Sequence, residues 1–183
     1  MYANYLIHRN QASEEYDIAR RKALELGLRV AIRGQRNALI SVDDIRAGVQ
    51  VHGECYGGVR QVLVQSIVSS IGRSTDFDKQ FRPRHDRTRE RWIRVADAHL
   101  HNIALPPVQL LKIGDAYVVT DGNHRVSVAR HFGVEYIDAE IIEYVTSCVP
   151  ANVPSKAMSG SERKWRPGGR YNFRLMSLLG QRA

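Results

Sequence analysis

The stretch YVVTDGNHRVSVARHFGV, from Tyr117 to Val134, limits the fold of this chain more than any other. An apolar, β-branched run ends in Thr120-Asp121-Gly122, and helical periodicity begins at once with Asn123-His124-Arg125. A strand must therefore become a helix within a few residues. Gly122 permits the sharp turn and lets a ligand approach the main chain without meeting a Cβ. The new helix starts with unpaired N–H groups and a partial positive charge, which make it an anion site. Arg125 offers a fork of donors matched to phosphate oxygens, His124 adds one or two more, and Ser127 can bond within the first turn. Val126, Val128, Ala129 and Phe132 fill one side, Ser127, Arg130 and His131 the other, and Gly133 supplies the stop. The element is expected to be seated by packing, with its basic start turned outward. A plainer reading stands beside this one: Asp121 caps the helix, Gly122 serves a turn, and the His-Arg pair is exposed without a ligand.

The flanking sequence supplies a frame. VQLLKI, a Gly114-Asp115 turn and AYVVT predict a hairpin over 108–119, and Val134 to Tyr144 predicts a further strand. Residues 88–100 predict an amphipathic helix: Trp92, Ile93, Val95, Ala96 and Leu100 share an arc opposed by Glu90, Arg91, Arg94 and Asp97. His99 falls inside the apolar arc, where a hydrogen-bonded core histidine is expected. VRQVLVQ, from Val59, alternates as a half-buried strand, and SIVSSIGRSTDFD is expected as a turn of helix opening into a polar loop. Residues 13–26 predict a helix capped by Ser13 and closed by Gly27, and a second short capped turn starts at Ser41. The expected fold is α/β (α+β), a small mixed sheet with packed helices. Its organisation is a helical arm at 1–50, a domain at 51–150 and a basic tail at 151–183.

Charge narrows the partner. The net charge is +8, yet Lys79 to Arg94 alone has seven basic and two acidic residues, and Lys156 to Ala183 has seven basic and one acidic. Such clustering suggests an anionic partner, whether nucleotide, nucleic acid or phosphorylated metabolite, and a merely solvated face is the plainer reading, an equal rival for the tail. DNA or RNA would be met by the 79–94 run and the tail, where Trp165 and Tyr171 stand among arginines. No apolar run is long enough for a membrane span and the start does not resemble a secretion signal, so no membrane partner and a cytoplasmic setting are expected. Cys55 and Cys148 are expected as free thiols in that setting, and no Cys/His cluster has metal-ligand spacing.

The run from Leu105 to Tyr144 resembles the ParB/sulfiredoxin superfamily, in which a strand, a Gly-x-[His/Arg]-Arg box and a helix form a nucleotide-phosphate site. ParB proteins carry Gly-Glu-Arg-Arg there and bind a cytidine triphosphate. Sulfiredoxin carries Gly-Cys-His-Arg and uses ATP, and the free-serine kinases carry Asp-Gly-His-His-Arg. Asp121-Gly122-Asn123-His124-Arg125 is most similar to that last version, departing at Asn123. The resemblance extends back to Ile71–Asp78, where ParB-like domains place an upstream box with a phosphate-contacting arginine, here Arg73. Asn123 stands where sulfiredoxin has its catalytic cysteine, so sulfinic-acid repair is not expected. The irregular tail does not resemble the helix-turn-helix and dimerisation domains of a centromere binder.

These readings assign roles. Gly122, Asn123, His124, Arg125 and Arg73 are expected to hold the phosphates of a nucleoside di- or triphosphate. Asp76 and Asp78, two apart on a loop, either hold Mg²⁺ through water or accept a hydroxyl proton, or else cap local structure. Asp121 either caps the helix or, as the serine-kinase resemblance implies, contacts a metal or an acceptor hydroxyl. Arg82, Arg84, His85 and Arg87 are candidate contacts to an anion or nucleic acid. The leading expectation is use of ATP, ADP or CTP for phosphoryl transfer to a small hydroxyl substrate, or for hydrolysis. The alternative is a DNA-binding or regulatory ParB-like protein, and nuclease action is weaker because no two-metal carboxylate cluster is evident.

Overall fold

In the computed structural model, which describes residues 2–35, 37–46 and 49–148, with side chains between residues 9 and 146, five strands form one mixed sheet. Along the chain come α1 (Tyr2–Ile32), α2 (Val42–Arg46), β1 (Val49–Leu63), β2 (Ile67–Ser70), α3 (Arg89–Leu100), β3 (Val108–Ile113), β4 (Ala116–Asp121), α4 (Asn123–His131) and β5 (Tyr136–Cys148). The strand order is β1-β5-β3-β4-β2. The β1–β5 and β3–β4 pairs are antiparallel, and the β3–β5 and β2–β4 pairs are parallel. This is the expected α/β class. No helix among the described residues is long and apolar enough to cross a membrane.

Period-two alternation in the β3–β4 hairpin builds two faces. Val108, Leu110 and Val119 join Val126 of α4, Phe77 and Phe81 in one core. Leu111, Ile113 and Val118 pack on the opposite side with Ile45 of α2. A further layer covers α4: Ala12, Tyr16 and Ala19 of α1 and Trp92, Ile93 and Ala96 of α3 close on Val128. Each large side chain buried there stabilises by about 1.5–3 kcal/mol. The helix that carries the phosphate-type box is thus held from both sides.

Several expectations are corrected. The helix expected over 13–26 is the middle of α1: it runs past Gly27 to Ile32, with Val30 buried, and Ser13 lies inside it, accepting a bond from Arg89 Nη2 at 2.7 Å. β1 begins at Val49, not near Val59, because β5 gives it a partner throughout, accommodated by irregularities at Val51/Gly53 and Tyr56/Gly58. The segment expected to open as helix from Ser66 is instead a strand, Ile67–Ser70, parallel to β4, and the single helical turn before it, Val64–Ser66, ends the stretch expected as strand. The ring of His99 packs on Phe132, with centroids 4.8 Å apart. Met at their expected places are α3, the β3–β4 hairpin and the short turn after Ser41, where Asp43 N donates to Ser41 Oγ at 3.2 Å. Cys55 is free and exposed. The tail at 151–183, with Trp165 and Tyr171, and the side chain of Cys148 lie outside the described residues.

Candidate functional site

The carboxyl ends of the parallel neighbours β2 and β4 lie side by side, with Ile71 N donating to Val119 O at 2.9 Å. The chain leaves β2 through Gly72-Arg73 and leaves β4 through Gly122 into α4. Clefts outside the carboxyl ends of strands are where open α/β sheets take ligands. Here the cleft is a cavity of about 500 Å³, walled by those two exits, by Arg91 and Val95 of α3, and by Leu105-Pro106.

Gly122 is obligatory at the turn. Its φ is +99°, and a Cβ on it would come within 2.7 Å of Val108 Cγ1. No side chain caps α4, so Asp121 does not act as its N-cap. Instead Asp121 accepts a bond from Arg125 Nη2 at 2.7 Å. Arg125 Nη1 donates to the carbonyls of Pro106 and Pro107, the latter at 2.8 Å. The expectation of a basic start turned outward is therefore corrected for Arg125. Its side chain is 15% exposed and its fork is committed to Asp121 and the proline strap. Space for an anion remains beside Gly122 all the same, because the strap forms a wall of the cavity and does not fill it.

The next two residues face the same cavity from a buried position. His124 and Asn123 are 6% and 7% exposed, and His124 Nδ1 and Asn123 Oδ1 have no hydrogen-bond partner among the described residues. Buried polar atoms are nearly always paired, and here Asn123 Oδ1 needs a donor while His124 Nδ1 can donate or accept. The His124 ring stands edge-on to Phe77, with centroids 5.5 Å apart. Burial, then the nearby Arg91 and Arg73, pushes its pKa down to about 4. The ring is neutral at pH 7 and can donate from one nitrogen. Ser127, expected on the outer side, is buried and accepts from Trp92 Nε1 at 2.9 Å.

Arg91 is the cation that sequence reasoning missed. It was placed on the solvent face of α3, and that face borders the cavity. Arg94, one turn on, also reaches His124 electrostatically. The signal was the i, i+3 pair of arginines on one helix face.

The loop carboxylates are elsewhere. Asp76 is buried, receives Arg87 Nε at 2.9 Å and Arg73 Nη1 at 3.2 Å, and does not line the cavity. Burial raises its carboxyl, but the two guanidiniums outweigh this and leave the pKa below the usual value. Asp78 is also buried, and its Oδ1 accepts from the backbone of Gln80 at 2.8 Å and Arg82 at 2.9 Å. Three of these four oxygens are taken by guanidiniums and amides, and Asp78 Oδ2 is buried without a partner among the described residues. Among the described residues no group of three or more His, Cys, Asp and Glu side chains is arranged for a metal. Arg73 lines the cavity while bonded to Asp76. Arg82, Arg84, His85 and Arg87 do not line it: Arg87 holds Asp76, Arg82 faces a different cavity, and the His85 carbonyl accepts from Tyr16 Oη at 3.1 Å. The basic run is shared among separate places.

No protein-family model matches the chain, and no curated protein matches it. Among solved structures, a crystal structure of sulfiredoxin from Arabidopsis thaliana is similar at 14% identity, over 45% of this chain and 82% of that one, with a TM-score of 0.34.

Proposed function

We propose that the cavity at the start of α4 binds the phosphates of a nucleoside di- or triphosphate and serves phosphoryl transfer to a small hydroxyl compound or to water. The observation that carries this reading is the uncapped start of α4, whose Asn123, His124 and Arg125 line a cavity that Arg73 and Arg91 also line. In this reading the amides of Asn123, His124 and Arg125 and the His124 ring receive phosphate oxygens beside Gly122. Arg91 and Arg73 supply the charge that spreads over the transferred group. Asp121 is the one carboxylate among the described residues that lines the cavity, and it is 55% exposed. It takes the proton of the attacking hydroxyl or water as the new P–O bond forms and the bond to the leaving phosphate breaks. Arg125 positions Asp121 and the strap and does not meet the phosphates. A carboxylate on the cavity wall favours an enzyme over a passive binder.

Thermal melting with ATP, ADP and CTP, with and without Mg²⁺, tests the reading. At a hundred times Kd one nucleotide should raise Tm by about 5–10 °C. Arg91→Gln should remove most of that shift, and a screen of small alcohols and hydroxy amino acids should then find the acceptor. No shift with any nucleotide at millimolar concentration refutes the proposal.

A further inference from the structure

At the opposite end of α4, Ser127, Arg130 and His131 face Lys22 of α1 and the loop bearing Gln80 and Arg82 around a second cavity, of about 380 Å³. We infer that this cavity is a separate anion site, which takes a phosphate group, free or on a small phosphomonoester, between Arg130, Arg82 and Lys22. The three cations come from three different segments, and none has a carboxylate ion pair among the described residues. Of the nearby acids, Glu15 is engaged by His131 Nε2 at 2.6 Å. Asp78 is the carboxylate whose field reaches Arg130. Its Oδ1 is used by two backbone amides, its Oδ2 has no partner among the described residues, and burial pushes the group towards its neutral form. Such a carboxyl is a poor counter-ion for a guanidinium that is itself removed from water.

The site is built in advance of any ligand. Arg130 Nη2 donates to the carbonyls of Val64 and Ile67, which fixes the side chain, and its guanidinium lies 4.9 Å from the centre of the Phe81 ring. Its Nε is buried without a partner among the described residues. Phe81 has a φ of +59°, a left-handed conformation that aromatic residues rarely adopt. That turn buries the ring beside Arg130 while Gln80 and Arg82, its near neighbours, line the cavity. Ser127 Oγ accepts from Trp92 Nε1, so its own proton is left to donate. Two guanidiniums, an ammonium and a hydroxyl donor suit a tetrahedral dianion better than a monocarboxylate.

Trp92 touches this cavity through Ser127 and reports on it. The chain has two tryptophans, so in a Trp165→Phe background the emission is that of Trp92 alone. Inorganic phosphate, titrated at fixed ionic strength, should give a saturable change that sodium chloride does not. The double variant Lys22→Gln/Arg82→Gln should weaken it at least about tenfold, as expected for losing charge-assisted contacts. The variant Arg73→Gln/Arg91→Gln, altered at the first cavity, should leave it unchanged, so failure of the nucleotide reading and failure of this one are distinguished. Glycerol phosphate binding more tightly than inorganic phosphate identifies a phosphomonoester, and equal or weaker binding identifies free phosphate. The proposal is overturned by an identical chloride response, by no response, or by a response that survives in the Lys22/Arg82 variant.

Discussion

Replacing His124 by glutamine removes a titrating ring from the wall of the first cavity and keeps a polar side chain of similar reach. The pKa of this ring is 6.5 when unfolded and about 4 in the fold. Between those values the unfolded chain binds the extra proton, so the contribution of His124 is intact above pH 6.5 and is lost as pH falls towards 4. At about 1.4 kcal/mol per pKa unit, the loss relative to neutral pH is about 2 kcal/mol at pH 5 and about 3 kcal/mol at pH 4. Asp78, raised above 3.8, acts in the opposite sense just above that value, and the contribution of Asp76, lowered below 3.8, is lost only at more acid pH. Both carboxyls are present in wild type and variant, so the difference between the two proteins isolates the histidine. Urea unfolding at pH 7, 6 and 5 measures it. The wild type should lose about 2 kcal/mol more than His124→Gln over that range. Parallel stability curves would show that the ring is not buried in neutral form, and the reasoning about the cavity wall would fail with it. A bound phosphate should shrink the difference, since a nearby anion raises the pKa of the ring.

Other outcomes follow from the same contacts. Gly122→Ala should cost about 2 kcal/mol or more in urea unfolding, because the residue has φ +99° and a Cβ would meet Val108 at 2.7 Å. Ser127→Ala should cost about 1–3 kcal/mol by leaving the Trp92 indole N–H buried and unpaired. Asp76→Asn should cost only about 1 kcal/mol in urea unfolding, since the partner guanidiniums are 51% and 62% exposed and can return to water. Asp121→Asn should preserve the melting temperature while reducing phosphoryl transfer by about a hundredfold or more.

What could be read from the sequence was local. The β3–β4 hairpin, the arc of α3 and the abrupt start of α4 are written in period and turn residues that act over a few positions. What escaped depends on distant partners. VQVHGECYGG has three glycines and weak strand character, and it becomes strand because β5 pairs with it from more than seventy residues away. Ile67–Ser70 looked helical until β4 offered a parallel edge. Gly27 looked like a helix end, but the buried Val30 anchors the following turn of α1. At the site, the orphaned His124 and the exclusion of Asp76 and Asp78 depend on which loop folds over which helix. Spacing alone does not encode that. Arg125 lines the cavity as expected by type, but its bonds to Asp121 and to a proline strap nineteen residues upstream lie beyond what spacing encodes.

The ribbon of β1 and β5 has a consequence for how the protein is made. The sheet partner of β1 is β5, and their meeting point joins Leu63 to Tyr136. At about 5–20 residues per second of synthesis, β1 waits roughly 4–15 s for its mate to be translated. During that interval Tyr56 and Val59 stand on an unpaired edge. Codon choice or chaperone capture over 64–135 is therefore expected to govern the yield of folded chains more strongly than changes within the strands themselves.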